Sequence, residues 1–317
     1  MLADRRKWYT VHGTVQGLVK EIENRYPIYI ISKGRWWLDG AINELHHIGA
    51  KGIRVVVERE ERDEYARSFP FAQIITIPQS YHDDYNTLDA LGQSIPQGSG
   101  PARNVALDHS RSENAKRHWV IDDNVYGWCA VREWKRKRVT DTSCLSILEQ
   151  LCDRYSNVGL AAHKYHYFPN MTTKRYVFSP NGPVMSSILV NNSIRQRWIG
   201  RYNEDVILTT EALKARWCTI VLYAVLSVKM KRSSANKADA GGNSELYGGL
   251  KVNTVMGSLS EEEMRYADEK GAMEKSRMLV SRYPDLYEMK WRYNRWHHVA
   301  RRAAMLKLRK QNVLIPI

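Results

Sequence analysis

Short apolar runs alternate with helix-compatible segments through the first 230 residues of the chain. Apolar runs at residues 27–32 and 53–57 are rich in Ile, Val and Tyr, and each is followed by a helical pattern, at residues 38–48 and 61–69. Repeated strand–helix units of this kind pair their strands in parallel and cover the sheet with their helices. The alternation therefore predicts an α/β fold built on a mostly parallel central sheet.

The same pattern assigns the remaining elements and divides the chain into three parts. Residues 1–26 are predicted to be a polar arm, residues 27–230 the core, and residues 231–317 a flexible loop followed by a basic helical region. Further strands are predicted at residues 73–77, 119–121, 158–167, 184–191 and 218–228, mixed strand and turn at 125–139, and helices at 102–109, 144–155, 205–216, 261–281 and 287–311.

The composition indicates a reducing compartment and an anionic partner. With 317 residues the chain can bury a full core, and no apolar run reaches the roughly 18 residues needed to span a bilayer. The charged start at residues 1–7 is not followed by an apolar run, so no secretory signal is expected. The formal net charge of +14 and the pI near 9.6 favour a polyanion, with nucleic acid ahead of a membrane. The four cysteines form no C-x-x-C pair and no zinc-binding spacing, which is typical of reduced thiols in a cytoplasm: Cys129, Cys144, Cys152 and Cys218.

Two adjacent carboxylates and an amide follow the apolar run at residues 119–121, namely Asp122, Asp123 and Asn124. In open α/β sheets, ligands bind in the crevice beyond the carboxyl ends of the strands, where these side chains are expected. Oxygen ligands suit Mg²⁺ or Mn²⁺, which are commonly shared with a phosphate-bearing substrate. A solvated turn is the alternative, but the pattern favours a metal clamp on a diphosphate. The pair at residues 83–84 lies in a polar loop and is expected to be solvated.

Another acidic pair, Glu204 and Asp205, stands at the start of the helix predicted at residues 205–216. Acids in a first helical turn complement the helix dipole and cap free N–H groups, and this structural role explains most such pairs. The residues before them, Arg201 and Tyr202, favour a catalytic role here. A carboxylate in this place can accept the proton of an attacking hydroxyl as a general base.

Charged side chains are also predicted on the phosphate side of the crevice. Lys33 and Arg35 follow the first strand, and Arg103 lies in the helix at residues 102–109, where all three can hold a diphosphate and stabilise its departure. Glu58 ends the second strand, where acids commonly bind a ribose hydroxyl. Solvated surface charge is the alternative for each of them.

Two basic clusters account for much of the positive charge. Between residues 287 and 311, basic residues that include Arg295, Arg301 and Arg302 surround Trp296. Basic side chains give affinity for phosphates, and aromatic rings can stack on an extruded base. A solvated helix face is the usual meaning of one such cluster, but the overall charge favours nucleic acid. The other cluster is interleaved with Trp134 and comprises Arg132, Lys135, Arg136, Lys137 and Arg138.

Four motifs, in their order along the chain, resemble those of GT-A glycosyltransferases. They are Ile-Ser-Lys-Gly-Arg at 31–35, Gly-Pro-Ala-Arg-Asn at 100–104, Trp-Val-Ile-Asp-Asp-Asn at 119–124 and Asn-Glu-Asp-Val-Ile-Leu at 203–208. More narrowly, the chain resembles the phage-encoded TET/JBP-associated glycosyltransferases, relatives of base J glucosyltransferase, over about residues 27–230. The resemblance implies a GT-A fold, a nucleotide-sugar donor, a divalent metal held by an Asp-x-Asp motif, and transfer to hydroxymethylated pyrimidines in DNA.

The resemblance also implies roles for single residues. Asp122 and Asn124 match the outer positions of Asp-x-Asp, with Asn124 in place of the second acid, and Asp205 matches the general base of inverting members. Arg103 and Asn104 match the helix that lies along the donor. Phosphate-cradling Gly-x-Gly-x-x-Gly and Walker motifs are absent from the sequence, which disfavours dehydrogenases and NTPases. The predicted donor-binding set is Ser32, Lys33, Arg35, Glu58, Arg103, Asn104 and Asp122.

Together these features predict a metal-dependent, inverting glycosyltransferase. It would move a sugar from a nucleotide diphosphate, with UDP favoured, to a 5-hydroxymethylpyrimidine in double-stranded DNA, with 5-hydroxymethylcytosine favoured. Mn²⁺ or Mg²⁺ is the predicted cofactor, no membrane is expected, and a phage-encoded enzyme would work in the host cytoplasm. Two alternatives stay open: a GT-A enzyme acting on a glycan or lipid, and a non-catalytic nucleic-acid-binding protein. The sugar, the sequence context and the oligomeric state also stay open.

Overall fold

A ten-stranded sheet forms the centre of the molecule, with the strand order β3-β2-β1-β4-β9-β7-β10-β5-β6 and β8 paired to β10. The computed structural model describes residues 22–89, 96–132, 135–166, 177–229, 244–246, 250–252, 269–292 and 294–317. The strands of the sheet are β1 (Ile28–Ile31), β2 (Ile53–Val57), β3 (Gln73–Thr76), β4 (Arg117–Asp122), β5 (Val125–Arg132), β6 (Lys135–Arg138), β7 (Val158–Tyr165), β8 (Phe178–Pro180), β9 (Ser187–Asn191) and β10 (Cys218–Lys229).

The first four strands in this order confirm the predicted βαβ units. β1 pairs in parallel with β2 on one side and with β4 on the other, and β3 extends the sheet beyond β2. The residues of β1, β2 and β4 are almost all buried. Parallel strands covered on both faces have such continuous apolar runs, which is why these elements are readable from sequence.

The other half of the sheet mixes strand directions. β9 runs antiparallel between β4 and β7, and β10 pairs in parallel with β7. β4, β7 and β10 therefore run in the same direction as β1, β2 and β3, so the sheet is mostly parallel. The carboxyl ends of these six strands share one edge, called the carboxyl edge below. β5 and β6 form an antiparallel hairpin beyond β10, and β5 begins at this edge and runs away from it.

Helices cover both faces of the sheet and create two hydrophobic cores. Alternate residues of β1 divide between them, because successive side chains of a strand point to opposite faces. Ile28 and Ile30 belong to one core and Tyr29 to the other. No helix among the described residues is long and apolar enough to cross a membrane. The helices are α1 (Ala41–His47), α2 (Arg62–Ser68), α3 (Gln79–Asp83), α4 (Gly100–Ser112), α5 (Ser143–Cys152), α6 (Glu204–Lys214), α7 (Glu269–Arg282) and α8 (Arg302–Lys310).

The helix predicted at residues 287–311 is wrong. The chain there forms two antiparallel strands, numbered β13 (Tyr287–Arg292) and β14 (Arg295–Ala300), and only α8 follows as helix. Asn294, next to the turn, has a φ of 56°, a left-handed conformation that Asn adopts more readily than most residues and that tight hairpin turns require. Apolar and charged residues alternate along β13, and this period of two is the signal that the helical interpretation overlooked.

Some predictions lie outside the described residues. They include residues 1–21 of the arm, most of the loop at 231–257, and the first part of the helix predicted at 261–281, of which α7 is the described portion. The described end of the arm, residues 22–26, holds no helix. Two further short strands pair with each other within the loop, β11 (Ser244–Leu246) and β12 (Leu250–Val252).

Two distant segments meet at the turn after α5. Near one end of the chain, the backbone N–H of Arg25 donates to Glu149 at 2.8 Å and the Tyr26 hydroxyl donates to Asp153 at 2.7 Å. From the other end, residues 313–317 run along residues 154–157. There the Ser156 N–H donates to the Ile315 carbonyl at 2.9 Å. Segments far apart in sequence thus close one side of the sheet together.

Candidate active site

Three strand ends bring polar side chains together at the carboxyl edge. Asp122 ends β4, Tyr165 ends β7 and Lys229 ends β10. Lys229 Nζ donates to Asp122 Oδ2 at 2.8 Å and lies 3.0 Å from the hydroxyl of Ser186, which also hydrogen-bonds the hydroxyl of Tyr165. β9 and β7 lie between β4 and β10, so the side chain of Lys229 reaches Asp122 across the carboxyl edge, beside Ser186 just before β9.

Asp122 is held ionised between two cations. Arg103 Nη2 donates to its Oδ1 at 2.7 Å, while Lys229 occupies its Oδ2. Burial by itself would raise the pKa of the Asp122 carboxyl, but Lys229 and Arg103 hold that pKa well below its ordinary value. Asp122 is therefore ionised at neutral pH.

Arg103 connects Asp122 to the acidic pair at the start of α6. Its guanidinium lies over the ring of Trp198 at 4.6 Å, and its Nη2 lies 3.7 Å from Glu204 Oε1. Ser99 completes the connection, because its hydroxyl donates to Glu204 at 2.9 Å and accepts from Arg103 Nε at 2.9 Å. Arg103 is almost fully buried, so this bridge is rigid and shielded from solvent.

Asp205 lies in the first turn of α6, beside Glu204. Asn203, the residue before this turn, has a left-handed φ of 56° and its amide donates to the Lys275 carbonyl of α7 at 2.7 Å. Burial, followed by the negative charge of Glu204, raises the pKa of Asp205 from 3.8 to about 6, against the opposing charges of Arg103 and Lys275. A half-buried carboxylate with this pKa is suited to proton transfer near neutral pH.

Asp123, the second acid of the motif, lies beneath the edge in a sealed cluster. Its Oδ1 accepts from Arg35 Nη1 at 2.8 Å and its Oδ2 from the Ser32 hydroxyl at 2.7 Å. Tyr65 joins through its hydroxyl, 2.6 Å from that of Ser32. The Asp123 and Arg35 side chains are only 9% and 8% exposed, so their ion pair orders the loop after β1. The predicted ligand roles of Asp123, Arg35 and Ser32 stay predictions that these contacts do not favour.

Asn104 likewise faces inward. Its amide donates to the Trp198 carbonyl at 2.9 Å, and its carbonyl oxygen accepts from the Trp198 N–H at 3.0 Å. This pair of bonds attaches α4 to the segment before α6. Asn104 therefore acts on the site through the position of Arg103, its neighbour on the same helix.

Lys33 and Glu58 follow the carboxyl ends of β1 and β2 and contact each other, while their predicted donor-binding roles stay predictions. Lys33 Nζ donates to Glu58 Oε1 at 2.9 Å, and His82 Nε2 lies 3.0 Å from Glu58 Oε2. Gln97 holds the other ring nitrogen of His82 at 3.0 Å. The cluster offers a carboxylate, an ammonium group and an imidazole beside the donor crevice, and His82 was not among the residues predicted from sequence.

The carboxylates present do not fit a divalent cation as they are arranged. Each oxygen of Asp122 and Asp123 already accepts a hydrogen bond from a cationic or hydroxyl donor. Within the described ranges, no cluster of three His, Cys, Asp or Glu side chains could hold a metal ion. A cation at Asp122 would share its oxygens with Lys229 and Arg103, whose positive charges oppose its binding. The metal ligand set Asp122, Asp123 and Asn124 therefore stays a prediction, and no chemical step is assigned to a metal.

The hairpin of β13 and β14 adjoins the helix that carries Asp205. The hydroxyl of Tyr287 lies 3.1 Å from that of Thr210 in α6, and Tyr287 packs with Ile207 and Leu279 in a small apolar cluster. α7 contacts the hairpin, and its Lys275 carbonyl accepts from Asn203 just before α6. The hairpin is thus fixed beside α6.

At its tip the hairpin presents aromatic and basic side chains. Trp291 pairs with Trp296 across the strands, with ring centroids 5.5 Å apart, and Trp291 is 48% exposed. Arg292 and Arg295 are opposite each other and both exposed. These four residues, Trp291, Arg292, Arg295 and Trp296, are called the hairpin tip below.

The other predicted nucleic-acid contacts are less uniform. Arg302 is exposed at the start of α8, but Arg301 donates to the Pro284 carbonyl at 3.0 Å and pairs with Glu288 at 3.2 Å. Arg138 pairs with Glu44 at 2.6 Å. Arg301 and Arg138 thus support the fold.

The basic residues of the β5–β6 hairpin lie away from the carboxyl edge. Arg132 and Lys135 oppose each other at the far end of this hairpin, with Arg136 and Lys137 beside them, while Trp134 lies outside the described residues.

A family model provides the observation that decides the relationship. The model of the TET-associated glycosyltransferases matches residues 26–238, which is more than half of the chain. The chain belongs to the TET-associated glycosyltransferase family. The predicted α/β fold with a mostly parallel central sheet is confirmed by the strand order.

Comparison with other proteins adds little to the family match. The crystal structure of S. aureus TarS 1-349 is similar with a TM-score of 0.39 and 12% identity, over 65% of this chain and 60% of that one. This chain therefore spans less than two-thirds of the length of that structure. No curated protein matches the chain.

The candidate site of this TET-associated glycosyltransferase also contains residues that the motifs did not indicate. Lys229, Ser186 and Tyr165 complete the surroundings of Asp122, and Lys275 faces Asp205. Ser186 has a φ of 60°, a strained conformation for a residue other than glycine and one that clusters at functional sites. The sequence indicates only that Lys229 ends a long apolar strand, and its contact with Asp122 depends on the strand order of the sheet.

Proposed function

We propose that this TET-associated glycosyltransferase transfers a sugar from a nucleotide diphosphate to the hydroxymethyl group of a modified pyrimidine in DNA. The observation that carries the proposal is the position of Asp205 between the charged side chains around Asp122 and the basic, aromatic hairpin. On one side, Arg103 links its helix to the cationic donor side at Asp122. On the other side, α7 and the hairpin with its exposed arginines and tryptophans adjoin the same helix.

Asp205 is the proposed general base. With a pKa of about 6 it is ionised at neutral pH but still basic enough to accept a proton in the transition state. The acceptor oxygen attacks the anomeric carbon of the sugar while its proton passes to Asp205. The bond between that carbon and the diphosphate breaks, and the diphosphate leaves with the bonding electrons. Attack opposite the leaving group inverts the anomeric configuration.

Arg103 is the proposed anion-stabilising group on the donor side. Its guanidinium is buried and its orientation is set by Ser99, Trp198 and Asp122. A cation held in a dry, fixed geometry stabilises the developing charge of a departing diphosphate without reorganising during the reaction. Glu58 and Lys33, at the ends of the neighbouring strands, are proposed to bind the nucleoside part of the donor.

The hairpin tip supports DNA as the acceptor rather than a glycan or a lipid. A base inside a duplex must leave its stack before its 5-substituent can reach Asp205, at a cost of a few kcal/mol. Trp291 and Trp296 offer rings on which bases can stack, and Arg292 and Arg295 offer charge for the phosphates on either side. The net charge of +14 supports the same class of partner.

The proposal is tested by measuring sugar transfer to DNA duplexes of defined base composition. The enzyme is incubated with a panel of sugar nucleotides and duplexes that contain cytosine, 5-hydroxymethylcytosine or 5-hydroxymethyluracil, in EDTA and in Mn²⁺, and the DNA is digested to nucleosides for mass spectrometry. We expect one hexose or pentose mass on a hydroxymethylated base and none on cytosine, with the initial rate of product formation strongly reduced for Asp205→Asn. An unchanged mass on every base across the panel would overturn the proposal. Transfer to an oligosaccharide or lipid acceptor instead would support a different acceptor class.

A further inference from the structure

We propose that Lys229 takes the place of a divalent cation at Asp122, so that this enzyme binds the diphosphate of its donor without a metal. The inference rests on the proposed function, because it concerns the same donor site. It differs from the sequence prediction, in which Asp122 holds Mn²⁺ or Mg²⁺. The two possibilities make opposite predictions about chelators.

The first argument is the position of the ammonium group. Lys229 Nζ lies 2.8 Å from Asp122 Oδ2, on the side of the carboxylate that Arg103 leaves open. A metal ion shared between a carboxylate and a diphosphate must occupy such a place. Lys229 is partly exposed, with 19% of its side chain accessible, so its ammonium group can contact a ligand in the crevice.

The second argument is how the surroundings hold Lys229. Ser186 Oγ lies 3.0 Å from its Nζ, and the Tyr165 hydroxyl in turn hydrogen-bonds Ser186. Ser186 keeps this place in a strained backbone conformation with a φ of 60°. Asp122 and Ser186 are also joined through the backbone, since the Asp122 N–H donates to the Ser186 carbonyl at 2.8 Å. Lys229 is therefore a positioned cation rather than a flexible surface lysine.

The third argument is the charge that an arriving diphosphate meets. Arg103 and Lys229 both contact the carboxylate of Asp122, and Arg103 also lies 3.7 Å from Glu204, whereas Asp123 is neutralised separately by Arg35. A divalent ion at Asp122 would lie beside both of these cations and would be repelled by them. A diphosphate instead meets donors that are already oriented for its oxygens, as charge-assisted hydrogen bonds require.

In the transfer step Lys229 changes no bond of its own. The carbon–oxygen bond to the diphosphate breaks, the acceptor oxygen forms the new bond, and its proton goes to Asp205. Lys229 and Arg103 stabilise the negative charge that the departing diphosphate carries away. The ammonium group thus provides the electrostatic part of what a metal would provide, without a metal-bound intermediate.

The test is calorimetric binding of UDP, CDP, GDP, ADP and TDP to the full chain, in EDTA and in Mn²⁺. We expect one of them to bind in EDTA with an affinity that Mn²⁺ changes by no more than about twofold. Lys229→Met should weaken that binding in EDTA by about tenfold or more, the scale of losing one charge-assisted hydrogen bond. Lys229→Arg should retain most of it. Lys51→Met is the matched control, because Lys51 is exposed and precedes β2, at the edge of the sheet opposite the carboxyl edge.

A second readout distinguishes a positioned cation from a structural one. Removing Lys229 leaves one oxygen of Asp122 without its cation, so Mn²⁺ should bind Lys229→Met and restore part of its nucleotide affinity. Melting curves establish that the variant is folded. Nucleotide binding by the parent that is lost in EDTA and restored by Mn²⁺ would overturn the proposal for Lys229 alone. Metal-free nucleotide binding without any transfer to DNA would overturn the proposed function alone, and a panel in which no nucleotide binds under either condition would overturn both.

Discussion

Charged residues at the carboxyl edge and at the hairpin tip differ in burial and in pairing. At the edge, Arg103 and Asp122 are largely buried and paired at 2.7 Å. At the hairpin tip, Arg292 and Arg295 have the same sign, face each other and are exposed. The buried pair holds Arg103 and Asp122 in a fixed geometry away from water. The exposed arginines give the hairpin tip a positive electrostatic potential that attracts anions from solvent.

The difference predicts how each region responds to change. A buried charge depends on specific partners and is little screened by salt, so a single substitution there should have a large effect. Exposed charges are screened by salt, and each contributes a similar amount to the free energy of DNA binding. Substitutions there should therefore have small, additive and salt-dependent effects on that binding. The following experiments test this contrast, from the largest expected effect to the smallest.

Asp205→Asn should cause the largest loss. The substitution keeps the shape and the hydrogen bond to the Val206 N–H but removes the base, so kcat should fall about 100-fold or more. Donor binding should be unchanged, and the melting temperature at pH 7.5 should not fall, because an ionised Asp205 is already destabilised by its burial. Steady-state kinetics and calorimetry measure the two effects. A variant that melts earlier but keeps its turnover per folded molecule would identify Asp205 as a helix cap.

The pH profile should show the raised pKa of Asp205. Because its carboxyl is protonated below about pH 6, kcat/KM should fall about tenfold per pH unit below that value and level off above it. Stability should change in the opposite direction. A folded-state pKa above the ordinary 3.8 means that the free energy of unfolding decreases as the pH rises from about 4 to about 6.

Glu204→Gln tests whether the acid limb of this pH profile reports the pKa of Asp205. Glu204 is the second cause of the raised pKa of Asp205, after burial, so its neutralisation should move the acid limb of the profile to lower pH. Rates and melting temperatures across the same pH range measure the shift. A profile that stays in place would mean that another group controls the acid limb.

Trp291→Ala should weaken the use of duplex DNA by about fivefold or more, since stacking on one aromatic ring is worth ~1–3 kcal/mol per base. The effect should appear in the KM for duplex and be smaller for single-stranded acceptor, from which no base has to be extruded. Trp37→Ala is a suitable control, because Trp37 is 46% exposed and follows β1 rather than the hairpin. Equal losses on both acceptors would indicate that Trp291 only stabilises the hairpin.

Arg295→Gln with Arg302→Gln should have the smallest effect at physiological salt. Each lost phosphate contact lowers the slope of log affinity against log salt by about 0.9, so the double variant should flatten that slope by about 2. Nucleotide binding should remain as in the parent. Arg62→Gln with Arg67→Gln is the matched control on the exposed face of α2. Arg301 is left intact, because its contacts with Pro284 and Glu288 would mix folding with binding.

The elements that sequence predicts well are those whose signal is local. The buried strand before Asp122 and the helix that begins at Glu204 both lie where their patterns place them, because continuous burial and a first-turn acid are properties of neighbouring residues. Asp122 and Asp205 could therefore be selected from short motifs. The family match over residues 26–238 covers the same part of the chain.

The residues that sequence could not select depend on pairing between distant strands. Lys229 meets Asp122 across 107 positions, and this contact follows only from the place of β10 in the sheet. The two acids of the Asp122–Asp123 pair look alike in sequence, yet one faces the crevice and the other a buried arginine. In the hairpin, basic and aromatic residues also occur at helical spacing, and the turn at Asn294 and the packing on α6 agree instead with the period of two along β13.

The contact between residues 313–317 and the turn after α5 has a consequence for how the chain is made. The Ile315 N–H donates to Asn157 Oδ1 across 158 positions, so this contact cannot form before residue 315 has been synthesised. Contacts between such distant positions slow folding, because the loop-closure entropy is lost before the contact forms. Residues 154–157 therefore lack this partner while the intervening residues are being synthesised.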